Sequence, residues 1–118
     1  MKKIGGNKTI ELQIKTAVEN EIGEQVESWE TVDTLEGFLD LSSGDSKYNN
    51  YSAKIQESTH FFIGDYKTLD PRIKVENLRV FDPQKQELYD VMLLDNPMEL
   101  NKHWEIYLKF TGGQSAEN

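Results

Sequence analysis

Apolar and polar residues alternate with period two over most of this chain, the pattern of strands with one face in a core. The pattern is most regular from Glu87 to Phe110, ELYDVMLLDNPMELNKHWEIYLKF. Trp104, Ile106, Leu108 and Phe110 alternate there with Glu105, Tyr107 and Lys109. In the strand before it, Tyr89, Val91 and Leu93 share one face, and Leu88, Met92 and Leu94 share the other with Asp90. Apolar residues on both faces predict a central strand covered on both sides. Asp95-Asn96-Pro97 starts the turn between the two, and the loop to about Lys102 is polar.

Upstream, Ile10, Leu12 and Ile14 alternate with Glu11, Gln13 and Lys15, which predicts a strand over Thr9–Ala17. Glu19-Asn20-Glu21-Ile22-Gly23 carries turn chemistry. The segment after it reads two ways. Val18, Ile22, Val26 and Trp29 fall on one helical face. Gly23 and the strand formers of WETVDT oppose a helix, so a hairpin is preferred, with a second strand from about Gln25 to Leu35 continuing through Leu39. Gly37 marks a bulge or bend in that strand. Residues 41–53, LSSGDSKYNNYSA, form a polar loop longer than most connections. Extended structure resumes over Lys54–Gly64, followed by a short strand over Arg72–Glu76 with Ile73 and Val75 inward. Asn77 then shifts the phase into Leu78–Phe81. Asp82-Pro83-Gln84-Lys85 turns into the strand that begins at Glu87. Residues 1–8 and 112–118 read as flexible tails of one domain. The fold class is all-β: a small antiparallel barrel of six or seven short strands, with one long loop between the second and third.

At 118 residues the chain suffices for one domain, and its 36% hydrophobic content makes a lean core. No apolar run is long enough to span a membrane. MKKIGGNK lacks the apolar region of a signal peptide. With no cysteine, disulfides and thiolate chemistry are absent.

Charge adds a local feature. Residues 11–40 hold nine acids and one base, Lys15, a sum of -8, which equals the net charge of the whole chain. Glu19, Glu21, Glu24, Glu27, Glu30, Asp33 and Glu36 lie in this stretch, and the sharper reading is a face that meets a basic partner, or nucleic acid that must be repelled rather than held. The plainer reading is a solvated face that keeps the protein soluble. Ordinary nucleic-acid binding is disfavoured, because phosphate contacts need clustered Lys and Arg.

Candidate chemistry is sparse. His60 and His103 have neither a Cys partner nor the spacing of a metal pair, and read as structural or surface residues. No nucleophile elbow, Walker loop or dinucleotide fingerprint occurs. No catalytic residue, metal or cofactor is expected. Tyr48 and Tyr51 in the long loop suit anchoring to another protein subunit better than stacking on bases.

In order and spacing, the segments ENEIGEQVESW, GFLDLSSGDSKYNNYS, ESTHFFIGDY, RIKV, LYDVMLLDNP and HWEIYLKFTG resemble the head-closure proteins of long-tailed bacteriophages. These are also called head-tail adaptor, joining or stopper proteins. One departure is that Gly64-Asp65-Tyr66 stands where an arginine before the tyrosine would be expected. The resemblance implies a small β-barrel without enzymatic activity, made in the bacterial cytoplasm and placed at the virion head-tail interface. It implies a ring beneath the portal and its adaptor that meets the tail-completion protein, the subunit being monomeric before assembly. DNA would pass or be blocked in the channel without sequence-specific binding, and no membrane is involved. The loop 41–53 would be the channel gate, formed by Ser42, Ser43, Gly44, Asp45, Ser46, Lys47, Tyr48, Asn49, Asn50 and Tyr51, and the acids Glu19, Glu21, Glu24, Glu27, Glu30, Asp33 and Glu36 would form a subunit-contact or channel face. Two alternatives stand beside this reading: a tail-completion or terminator ring protein, and a small cytoplasmic β-barrel binding module.

Overall fold

Six strands carry the alternating segments in the computed structural model of the protein, which describes residues 6, 8–41 and 57–113. They are β1 (Lys8–Glu19), β2 (Gln25–Leu41), β3 (His60–Asp65), β4 (Leu78–Asp82), β5 (Glu87–Asp95) and β6 (His103–Gly113). Every pairing is antiparallel, and the order β1-β2-β3-β6-β5-β4 closes on itself as a barrel. Closure leaves no edge over the paired residues, which protects a sheet this small from further strand addition. The strands are not all short: β1 has 12 residues and β2 has 17.

Ile10, Leu12 and Ile14 of β1 point inward, and Leu35, Phe62, Leu78, Val80, Tyr89, Val91, Ile106 and Leu108 complete the buried core. Each such side chain contributes about 1.5–3 kcal/mol on burial. The hairpin reading of residues 18–30 holds, since Val18 faces Val26 and Glu19 faces Gln25 across the ladder.

Two bulges explain what period two alone misreads. Leu12 pairs with Asp33 and Gln13 with Thr31, so Val32 is the extra residue of β2, and it packs against the core. The bulge therefore lies at Val32, and the expectation of one at Gly37 is corrected. The ladder runs unbroken through Gly37, which faces Gly64. A Cβ on Gly37 would lie 2.8 Å from the Phe62 ring and 2.7 Å from the Gly64 Cα, so glycine here leaves room for a core aromatic. In β5, Val91 pairs with Leu108 and Leu93 with Tyr107, leaving Met92 unpaired. The inward phase changes there from Tyr89 and Val91 to Leu94, which faces Ile106. Apolar residues on both faces of β5 thus arise from a phase change in a single-layered barrel, not from cover on two sides.

Two further expectations change. The strand predicted to begin at Lys54 enters the ladder at His60; Lys54 to Gln56 lie outside the described residues, and Glu57 to Thr59 are not strand. Arg72–Glu76 is not a strand. Asp70 and Pro71 close a turn, with the Ile73 N–H donating to the Asp70 carbonyl at 3.0 Å, and Val75–Asn77 is a single 3-10 turn. Ile73 and Val75 still pack against the core. Their alternation reports burial, while the Asp-Pro pair decides the backbone.

Candidate functional site

The acidic stretch lies on the β1–β2 hairpin, and the ladder shows how that hairpin stands. β1 pairs with β4 only over Glu11–Ile14, and β2 pairs with β3 only over Gly37–Leu41. The two strands pair with each other along the whole of β1. Beyond Ile14 and Glu30 the hairpin continues as a two-stranded ribbon. From Ile14 to Glu19 this overhang is about 17 Å, at about 3.4 Å per residue. The molecule measures 50 × 31 × 26 Å.

The ribbon ends in a built turn. The Asn20 side-chain oxygen accepts the Ile22 N–H at 3.0 Å and the Glu24 N–H at 2.8 Å. The Asn20 backbone N–H donates to the Glu24 carbonyl at 2.9 Å, and the Gly23 N–H to the Asn20 carbonyl at 3.0 Å. Gly23 takes φ +87°, which a side chain would oppose. The turn presents Ile22 with 76% of its surface exposed, above the facing pair Val18 and Val26, 52% and 42% exposed.

The seven acids have two kinds of surroundings. Glu30 and Asp33 hold the loop after β3. The Lys67 ammonium lies 2.7 Å from the half-buried Asp33 carboxylate, which also accepts the Asp70 N–H at 2.9 Å. Arg72 reaches Glu30 at 3.5 Å and Asp70 at 2.9 Å. Hydrogen bonds from Arg72 hold the Asp70 carboxyl below its ordinary range, and Asp70 in turn raises the guanidinium. The other five, Glu19, Glu21, Glu24, Glu27 and Glu36, are exposed. Glu27 lies 3.5 Å from Lys15, a solvated pair contributing under about 1 kcal/mol. On the same face, Lys15 and Arg79 lie 5.9 and 4.1 Å from the centre of the Trp29 ring.

The opposite end of the barrel is where β2 stops and β3 begins. Leu41 and His60 face each other there, beside a cavity of about 320 Å³ between Leu39, Leu41, His60, Lys85 and Tyr89. A buried ion pair, Lys8 to Asp82 at 2.8 Å, closes its floor. Asp82 also accepts the backbone N–H groups of Gln84 and Lys85 at 2.9 and 3.4 Å. His60 lies edge-on to the Tyr89 ring at 4.9 Å, and its Nδ1 is 2.8 Å from the Thr59 hydroxyl. Burial holds the imidazole below its ordinary pKa. Burial, aided by a 2.8 Å bond to Glu87, pushes the Tyr89 phenol well above its ordinary value. Sequence reasoning had found the Asp82-Pro83 turn but not its ion pair, because Lys8 is 74 residues away.

The long-loop residues Ser42, Ser43, Gly44, Asp45, Ser46, Lys47, Tyr48, Asn49, Asn50 and Tyr51 lie outside the described residues. The two histidines do not meet. His103 faces Asp65, five residues along β3 from His60, and lies 2.9 Å from Glu105. Among the described residues, no cluster of three or more His, Asp or Glu could hold a metal, and no helix is long and apolar enough to cross a membrane. Among the described residues the arrangement offers an apolar, acidic tip at one end and a charge-paired pocket at the other.

A family model described as "Phage head completion protein" matches residues 1–109. No curated protein matches the chain. Among solved structures, protein SF1141 from Shigella flexneri 2a, determined in solution, is similar with a TM-score of 0.65. It is 18% identical, with 100% of each chain covered, and at that identity the likeness is one of fold.

Proposed function

The chain belongs to the phage head completion protein family, a structural protein of the phage head, and on that premise we propose that it closes the DNA-filled head below the portal and joins it to the tail. It works without catalysis, as one subunit of a ring, with residues 41–53 as the gate across the channel. The observation that carries this reading is the family match over residues 1–109.

Two features of the fold support the gate. The closed barrel is a rigid frame, and Leu41 and His60 face each other on its rim. Whatever conformation the intervening residues take, they leave and return at one point, and copies around a ring axis would bring these segments together. Polar segments of this kind need no special side chains to pair through their backbones. The partners in this reading are the portal or adaptor ring above and the tail-completion protein below. The acidic hairpin belongs to a subunit contact or to the channel face, where negative charge lets DNA slide without sticking.

Deleting residues 43–50 tests the gate. The expected result is a protein that melts as the wild type does, and heads that incorporate it but lose their DNA. Heads that carry the deletion and keep their DNA would refute the gate while leaving the head-completion role intact.

A further inference from the structure

The ribbon tip combines exposed aliphatic side chains with negative charge and has no basic residue of its own. Val18, Ile22 and Val26 expose 52%, 76% and 42% of their surfaces, on the face that continues the barrel interior past Ile14. None of them belongs to the core or to the residues packed against it. Glu19, Glu21 and Glu24 are exposed on the same tip, and residues 16–27 contain no Lys or Arg. Folding alone accounts for neither feature. Apolar groups are exposed here to water, and like charges are held close together.

The turn itself is organised to hold this shape. Four hydrogen bonds centred on Asn20 fix the backbone that carries Ile22. A pre-ordered knob loses little conformational freedom on docking, so more of its contact energy appears as affinity. The overhang also carries the knob clear of the barrel wall, where a recessed surface can receive it.

We propose that the β1–β2 tip is a docking knob that inserts Ile22, flanked by Val18 and Val26, into an apolar socket rimmed by Lys or Arg on another protein of the particle. Charge complementarity selects this occupant. Three exposed carboxylates on the tip that carries the aliphatic centre match a basic rim, and they repel a second copy of the same tip and the DNA backbone alike. The apolar centre supplies the hold, and the acidic ring supplies rate and selectivity.

The proposal rests on the head-completion reading for its probes, filled heads assembled without this protein and preassembled tails, and it gives the hairpin's tip to a contact with a different protein, leaving the acids from Glu27 to Glu36 to the subunit contact or channel face. Binding of the wild type to each is compared with I22D, with the triple reversal E19K/E21K/E24K, and with E76K, which reverses an exposed acid of the 3-10 turn before β4, outside the hairpin. Thermal melts establish that each variant is folded. Wild type and E76K are expected to bind one of the two particles equally well. I22D should weaken that binding by about tenfold or more. The triple reversal should also weaken it and flatten its salt dependence. Tip variants that bind like the wild type would overturn the knob while leaving the head-completion role standing. Wild type that binds neither heads nor tails would refute that role and the knob with it. Sedimentation showing self-association that I22D abolishes would place the socket on a second copy, against this proposal.

Discussion

Asp82 joins β4, the turn after it and the start of β1. Its carboxylate is fully buried, takes the Lys8 ammonium at 2.8 Å, and accepts two backbone N–H groups of the turn. Lys8 is itself only 12% exposed. A buried pair of this kind contributes little relative to an apolar substitute, but removing one partner strands the other charge. Asp82→Ala is therefore expected to destabilise the protein by about 3–5 kcal/mol in urea denaturation. A loss below about 1 kcal/mol would mean that water reaches Lys8 and that the pair is not closed. Asp33 makes the same point more mildly. It reads as one acid in a charged run, yet it is half-buried and ties Lys67 and the Asp70 N–H to β2. Residue type shows that a carboxylate is present; only its neighbours separate a solvated charge from an anchor.

Among the elements, the β1–β2 hairpin serves two purposes along one length. Its base supplies Ile10, Leu12, Ile14 and Leu35 to the core, and its far end supplies nothing to it. Replacing residues 18–26 with Asn-Gly, joined to the facing residues Ala17 and Glu27, should leave the barrel intact. Circular-dichroism melts are expected to shift by no more than about 5 °C, because almost no buried apolar area is lost. A larger fall would show that the tip supports the barrel rather than a contact. The β5–β6 pair is the opposite case. Both strands are in the ladder along their length, and the Met92 bulge lets β5 turn its second apolar face inward.

For the whole molecule, charge and fold bear jointly on DNA. The net charge is -8, and the acids of residues 11–40 lie on one hairpin instead of being spread evenly. Gel-shift titration at about 50 mM salt is expected to show no binding of duplex DNA up to on the order of 10 μM protein. Tight, salt-sensitive binding would instead favour a nucleic-acid binding module. In the role proposed, at a DNA exit, this repulsion would help, since holding the duplex would oppose its passage.

The sequence by itself determined most of the strands, the hairpin at residues 18–30, and the inward-facing residues of β1 and most of those of β6. It could do so because period-two alternation is local and each barrel strand has one dry face. The segments quoted for head-closure proteins also led to the family that the match over residues 1–109 shows. Only the tertiary structure decided where the alternation changes phase. A bulge inserts a single residue, and no local signal separates Val32 or Met92 from the residues beside it. Tertiary structure also decided that residues 72–76 pack on the core without joining the sheet, and which acids are anchors. Above all, it showed that β4 and β3 end their pairing with the hairpin at Ile14 and Gly37. That leaves Val18, Ile22 and Val26 in water, because exposure is set by where distant strands stop, and those distances do not appear in any one stretch of chain.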